Sequence, residues 1–174
     1  MDNRLFFKTL DEIRQQCRFA QLAFQNVQAS LNEQDPERVF LHVHAFLNHA
    51  TTISRFLSPA RPESKQRGDR LLQELKIATD SPLLLQGVRR QVERFDEAFE
   101  DWLSSLDEPN YVEMNLMPTG TMSGFKADTF QRSLDPDTHK LHLRGVECDL
   151  RKVADEIRKL DTTIQQWLRT HNPW

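Results

Sequence analysis

Apolar residues recur at alternating intervals of three and four in four segments of this 174-residue chain. The segments cover about 3–31, 35–57, 81–106 and 149–170. This spacing places the apolar side chains in one narrow stripe along an amphipathic helix. Four such helices bury their stripes most simply in an antiparallel bundle. We therefore predict an all-α fold, an antiparallel four-helix bundle, with a further shorter helix over about 63–78.

Local signals agree with the start of each later helix. Asp35 and Asp149 are good N-caps, and Ser81 is followed by Pro82, a residue favoured in the first helical position. The predicted core is drawn from the stripes of all four helices. It comprises Phe24, Phe46, Val92, Phe95, Phe99, Ile157 and Leu160. Near the C-terminus, Trp167 and Trp174 are expected to hold the last helix against the body.

The pattern of apolar residues changes between the last two predicted long helices. Residues 111–117 and 139–144 alternate loosely between apolar and polar side chains, and residues 135–138 form a strong turn signal. Alternation with period two is typical of a half-buried strand. We predict a small β-hairpin insertion at about 111–148, within one domain that covers residues 1–174.

Composition limits the compartment and the class of ligand. The formal net charge of −3 excludes a global basic field, so any site for a polyanion must be a local patch. Of the two cysteines, Cys17 lies on an apolar stripe, which indicates a buried thiol rather than a disulfide. The chain has no apolar run near the ~20 residues that a membrane span needs, and its first residues do not resemble a signal peptide. We expect a cytoplasmic protein that does not enter membranes.

The densest charged surface is predicted on the segment 81–106, opposite its apolar stripe. Arg89, Arg90, Glu93 and Arg94 are neighbours at spacings of three and four, which bring side chains together on a helix. One interpretation is an ordinary salt-bridged, solvated surface. The other is a phosphate site, because guanidinium groups remain charged and bind two oxygens at once. Arg90 and Arg94 repel each other at a spacing of four, which a surface selected only for stability would avoid.

The segment Val88–Glu97 resembles the Arg-Asn-x-x-Glu-His-Phe-Asp-Glu-Arg signature of bacterial HEPN-like proteins. Residues 45–57 look like the second helix of that family, and residues 134–150 like its short hairpin and the start of its last helix. The resemblance implies a helical bundle that forms a homodimer and acts on RNA or nucleotides, in a toxin–antitoxin or defence setting. It also implies a metal-independent ribonuclease, in which an arginine steadies the phosphate and a histidine promotes attack by the ribose 2′-hydroxyl.

The chain departs from this signature at its most reactive position. Arg89 and Glu93 match the arginine and the glutamate of the family, whereas Arg94 stands where the histidine should be. Arginine stays protonated in proteins, so it cannot exchange a proton near neutral pH. We therefore interpret Arg89, Glu93 and Arg94 as the motif positions of a degenerate or inactive ribonuclease, and Arg89, Arg90 and Arg94 as binding residues. A histidine borrowed from elsewhere would be needed to restore activity.

Other pairs show how unspecific the spacing of the motif is. Arg38 with His44, and Arg132 with His139, satisfy the same interval between arginine and histidine. They remain alternative catalytic pairs.

A metal site is a further alternative. His42 and His49 share one flank of the second helix, but no histidine follows a glutamate at the three-residue spacing of di-iron bundles. We predict no metal and no cofactor. The chain also lacks a Gly-rich phosphate loop, a Cys-x-x-Cys pair and a Gly-x-Ser-x-Gly motif. The alternative to an RNA-binding protein is a non-enzymatic helical bundle that docks a protein partner.

Overall fold

The computed structural model describes residues 2–107, 110–118, 120–122 and 124–171. These residues are mostly helical, and a small three-stranded antiparallel sheet precedes the last helix. The helices are α1 (Asn3–Glu33), α2 (Pro36–Leu57), α3 (Lys65–Glu74), α4 (Val88–Glu93), α5 (Phe95–Ser105) and α6 (Leu150–His171). The strands are β1 (Arg132–Leu134), β2 (Lys140–Leu143) and β3 (Val146–Asp149). The predicted helical class and the position of the β-element are both confirmed.

The three long helices follow the sequence pattern closely. Asp35 caps α2 by accepting a hydrogen bond from the Arg38 N–H at 3.1 Å, and Asp149 accepts one from the Lys152 N–H at 2.9 Å at the start of α6. Helix α1 packs against both α2 and α6. Their stripes form a core with the inner face of the sheet. Its fully buried side chains include Phe6, Leu10, Ile13, Phe46, Ile53, Leu134, Leu141, Ile157 and Ile164.

The segment 81–106 is not the single helix that its periodicity predicts. A 3-10 turn at Pro82–Leu84 is followed by the separate helices α4 and α5. The chain leaves helical geometry at Leu85 (φ 49°), at Gly87 (φ 81°) and at Arg94, whose φ of −127° and ψ of 57° divide α4 from α5. Gly87 adopts its positive φ readily because it has no Cβ.

These breaks redistribute the predicted core. Phe24, Phe46, Ile157 and Leu160 are buried as predicted, and Val92 and Phe99 are half-buried. The prediction for Phe95 is wrong, because its side chain is 39% exposed at the start of α5. Ala98 and Trp102 supply the buried side of α5 instead.

The sheet is a meander in the order β1-β2-β3. Arg144 and Gly145 join β2 to β3, and both have positive φ, as a two-residue type I′ turn requires. Residues 111–117 form no strand. They contribute two isolated parallel bridges, Val112 with Phe130 and Asn115 with Ser133.

The third predicted helix is shorter than expected. Helix α3 ends at Glu74, and Ala78, inside the predicted range, lies beyond its end and is exposed. Gly68 lies so close to the end of α2 that an added Cβ would come 2.6 Å from Pro59 Cδ and 2.7 Å from the Leu57 carbonyl oxygen. This close approach fixes α3 beside the C-terminal end of α2.

Three smaller expectations concern the termini, the cysteines and the membrane. Trp167 packs edge-on against Phe6, with ring centroids 5.3 Å apart, whereas Trp174 lies outside the described residues. Cys17 and Cys148 are buried free thiols, and burial raises the pKa of each to about 12. In the part of the chain that the structure describes, no helix is long and apolar enough to cross a bilayer.

Candidate functional site

The C-terminal end of α2, the connection to α3, and α4 surround an open cavity of about 560 Å³. We call it the arginine cleft, because five of the described residues that line it are arginines. Its described lining consists of Thr52, Arg55, Phe56, Pro59, Ala60, Arg61, Ser64, Arg67, Arg89, Glu93 and Arg94. Glu93 is the single acidic residue of that lining, so the cleft is strongly cationic although the chain as a whole is acidic.

Glu93 lies between two of these arginines. Its Oε1 accepts a hydrogen bond from Arg89 Nε at 2.9 Å and lies 3.4 Å from Arg55 Nε. Arg89 also donates from Nη1 to the Ser58 carbonyl oxygen at 2.6 Å. The side chain of Arg89 is consequently only 19% exposed, and α4 is tied to the end of α2. The Arg89–Glu93 salt bridge that the spacing predicts is present, but Arg89 is more buried than a fully solvated surface residue.

Arg67, on α3, also lines the cleft. Its guanidinium carbon lies 5.3 Å from the centre of the Phe56 ring, and Nη2 donates to the Arg55 carbonyl oxygen at 3.3 Å. Its Nε is buried and has no hydrogen-bond partner among the described residues. Burial lowers the pKa of Arg67 from its ordinary value. Packing, rather than a carboxylate, thus holds this cation in place.

The remaining arginines lie at the rim. Arg61 pairs with Glu63 at 3.1 Å and Arg94 pairs with Glu97 at 3.3 Å, and their side chains are 77% and 67% exposed. Arg90 lies outside the arginine cleft and donates to Asp101 at 2.6 Å. A smaller neighbouring cavity of about 360 Å³ is lined by Arg89, Arg90 and Arg94 together. The structure thus brings the three predicted binding arginines to adjoining surfaces.

The described lining of the arginine cleft contains no histidine. Its ionisable groups are arginines and one carboxylate that is already paired with two of them, so the cleft can hold an anion but offers no imidazole for proton transfer.

The alternative arginine–histidine pairs are engaged elsewhere. Arg38 pairs with Glu33, whereas the ring of His44 lies 6.1 Å from that of Phe95. His139 Nδ1 meets Arg151 Nη2 at 2.8 Å. No described contact joins Arg38 to His44 or Arg132 to His139.

The histidines considered as metal ligands also have other surroundings. His49 Nδ1 lies 2.8 Å from Gln16 Oε1, and its ring packs beside Phe19 on α1. His42 is half-buried on α2. Among the described residues, no group of three histidine, cysteine, aspartate or glutamate side chains is placed to hold a metal ion.

Sequence reasoning missed three of the five described arginines that line the cleft. Arg55, Arg61 and Arg67 come from the end of α2, the connection and α3, outside the segment 81–106. The usable signal was the density of arginines around Pro59 and Pro62, where the chain must turn back beside α2.

Comparison with known proteins gives this chain no relative. No protein-family model matches it, and neither a curated protein nor a solved structure matches it.

Proposed function

We propose that the arginine cleft binds the phosphates of RNA or of a nucleotide, and that the protein is a HEPN-like RNA-binding protein whose ribonuclease activity is degenerate or lost. One observation carries the proposal. Among the described residues, five arginines line a single cavity and one acidic residue, Glu93, partly neutralises them, on a chain with a net charge of −3. Such a local excess of cations is the electrostatic footprint of a polyanion site.

The kinds of cation in the cleft favour phosphate. Guanidinium groups present a rigid fork of donors that matches two oxygens of a phosphate group. Arg61 and Arg94 are exposed enough to turn toward a ligand, whereas Arg67 and Arg89 are held in place by the protein. The Phe56 ring, which also lines the cleft, offers an apolar surface beside the charged groups.

The family assignment is part of the same proposal. Its support is the position of Arg89, Glu93 and Arg94 in the lining of the cleft, at the motif positions of the HEPN signature. With it we propose a toxin–antitoxin or defence role, a cytoplasmic location and a homodimer. We further propose that α4 and α5 together stand for the fourth helix of an antiparallel four-helix bundle with α1, α2 and α6.

RNA binding is tested with a labelled single-stranded 12-mer at low salt, followed by fluorescence anisotropy. The variant Arg61→Gln/Arg94→Gln removes two exposed rim cations, and the control Arg38→Gln/Arg158→Gln removes two arginines of similar exposure elsewhere. We expect at least tenfold weaker binding for the first variant only, with both melting temperatures nearly unchanged, since exposed pairs contribute little stability. No binding by the natural protein, or equal losses in both variants, would contradict the proposal.

Catalysis is tested separately, by incubating the same RNA without metal. Because Arg94 cannot exchange a proton near pH 7, we expect no cleavage by the natural protein. Arg94→His restores the spacing of the family motif from Arg89. Robust cleavage by the natural protein that persists in Arg89→Ala would show that an active site lies elsewhere.

A protein-docking function is the alternative. Three large apolar side chains of α1 are exposed, namely Leu5 at 57%, Phe19 at 41% and Leu22 at 57%. Phe19 and Leu22, three residues apart on α1, offer an apolar surface that another protein, or a second copy of the chain, can cover. A homodimer fits both functions, so the docking function gains support only if the natural protein binds no RNA at low salt and Leu22→Glu also converts a dimer to a monomer in sedimentation analysis.

A further inference from the structure

A second group of cations lies apart from the arginine cleft, where the β2–β3 turn meets α2, α4 and α5. Arg144 is its centre and is only 6% exposed. Its Nε donates to Gln91 Oε1 at 2.7 Å and its Nη2 to the Gln91 carbonyl oxygen at 2.9 Å. Its Nη1 is buried and has no hydrogen-bond partner among the described residues. The guanidinium is therefore fixed in position with one of its three nitrogens, Nη1, unused.

Arg132 is the second cation. It pairs with Leu143 in the β1–β2 ladder, and Leu143 directly precedes Arg144 in the sequence. Its Nε is also buried without a hydrogen-bond partner among the described residues. Burial lowers the pKa of Arg132, and the charge of Glu113 raises it only in part. Burial, and then the charge of Arg132, lower the pKa of Arg144 to about 10. The two like charges are thus close enough to disfavour each other.

His44 of α2 completes the group. The centres of the His44 and Phe95 rings are 6.1 Å apart. The Arg144 guanidinium carbon lies 4.6 Å from the centre of the same Phe95 ring. Burial lowers the pKa of His44, and the charges of Arg132 and Arg144 lower it further. The charges of Arg132 and Arg144 therefore both disfavour the protonated form of His44.

Buried donors without partners, and two like charges that Glu113 compensates only in part, cost stability in a folded protein. A bound oxyanion removes both costs. Phe95 partly covers Arg144 but is 39% exposed, so its ring can move off the guanidinium without opening a cavity in the core.

We propose that Arg132, Arg144 and His44 form a second oxyanion site, covered by Phe95, that takes a phosphate group. This site does not depend on the arginine cleft. His44 and Arg55 are eleven residues apart on α2, about 16 Å along the helix axis. A single phosphate cannot touch both sites, whereas an RNA strand can. The phosphate can thus be a free anion or one phosphodiester of a strand held in the cleft.

The test follows the His44 imidazole resonances by NMR while inorganic phosphate is added at constant ionic strength. His44→Gln assigns the signals. We expect a saturable shift of His44 in the natural protein and in Arg61→Gln/Arg94→Gln. The affinity should fall at least tenfold in Arg132→Gln, should be partly retained in Arg132→Lys, and should be unchanged in Arg158→Gln. A shift that does not saturate, that appears equally at His171, or that survives in Arg132→Gln would overturn the proposal.

The 12-mer RNA separates the two sources of phosphate. A His44 shift with both ligands, or with phosphate alone, assigns a free-anion site. A shift with RNA alone, lost in Arg132→Gln, assigns a phosphodiester of the strand. Absence of any saturable shift with either ligand overturns the second site. The cleft proposal would still be judged by anisotropy with Arg61→Gln/Arg94→Gln, so the two failures are distinguishable.

Discussion

Arg89 and Glu93 form a salt bridge across one turn of α4, with Nε and Oε1 2.9 Å apart. The same carboxylate oxygen lies 3.4 Å from Arg55 Nε. Glu93 therefore occupies the space between two cations in which an anionic ligand would bind. The carboxylate orders the arginines and at the same time competes with a phosphate for them.

Replacing Glu93 by Gln should therefore strengthen RNA binding. Removal of one exposed negative charge is worth up to ~1 kcal/mol, which corresponds to roughly two- to fivefold in affinity. Anisotropy with the 12-mer measures the change. Glu156→Gln on α6 is the matched control, since its side chain is 31% exposed against 28% for Glu93. Unchanged or weaker binding in Glu93→Gln would show that ordering the arginines matters more than competition.

Gly68→Ala should destabilise the protein, although alanine is the better helix former by ~1 kcal/mol. The added Cβ would lie 2.6 Å from Pro59 Cδ and 2.7 Å from the Leu57 carbonyl oxygen, so α3 must move away from α2. We expect a loss of about 1–3 kcal/mol in the free energy of unfolding, as for other overpacked sites. Chemical denaturation measures it, with Asp69→Ala in the same helix as control. A stabilised Gly68→Ala would contradict this close approach.

Acid should weaken the fold before the carboxylates titrate. Burial lowers the pKa of His44, His49 and His139 below their ordinary value of 6.5, and Arg151 lowers that of His139 further. The unfolded chain then binds protons more readily than the folded one, so the free energy of unfolding rises with pH in this range. The contribution is fully present above pH 6.5 and is lost as the pH falls below it. Denaturation at pH 7.5 and at pH 5.5 should show the loss, and His139→Asn should reduce it. An equal loss in that variant would exclude His139 as a source.

Two phenylalanines should differ in their contribution to stability. Phe46 is fully buried, so Phe46→Ala should cost about 3–5 kcal/mol. Phe95 is 39% exposed, and Phe95→Ala should cost clearly less, about 1–2 kcal/mol, because it loses little more than its contacts with Phe99, Arg144 and His44. Thermal and chemical denaturation compare the two variants. Equal losses of stability in the two variants would show that Phe95 contributes to the core as Phe46 does.

The long helices could be predicted from the sequence because their N-capping residues and their apolar periodicity indicate the same helical segments. Asp35 with Pro36, and Asp149 before α6, mark starts that the structure reproduces. The segment 81–106 could not be predicted, because its apolar period continues through Leu85, Gly87 and Arg94, where the backbone leaves the helix. Periodicity reports which side chains are apolar, but it does not report a change in backbone direction.

The candidate site was predictable only where it is local in sequence. Arg89 and Arg90 lie on α4 and Arg94 directly follows that helix, so the proximity of the three follows from their nearness in sequence. Arg55, Arg61 and Arg67 join them through the packing of α3 against α2, which depends on the absence of a side chain at Gly68. The Arg132–Arg144–His44 group likewise depends on the register of the β1–β2 ladder.

The salt dependence of RNA binding tests the cleft most directly. Each phosphate neutralised on a single strand contributes about 0.7 to the slope of log K against log salt concentration. We expect a steep slope for the natural protein that becomes shallower by about 1.4 in Arg61→Gln/Arg94→Gln and stays unchanged in Arg38→Gln/Arg158→Gln. A slope that is the same in all three proteins would contradict phosphate binding in the arginine cleft.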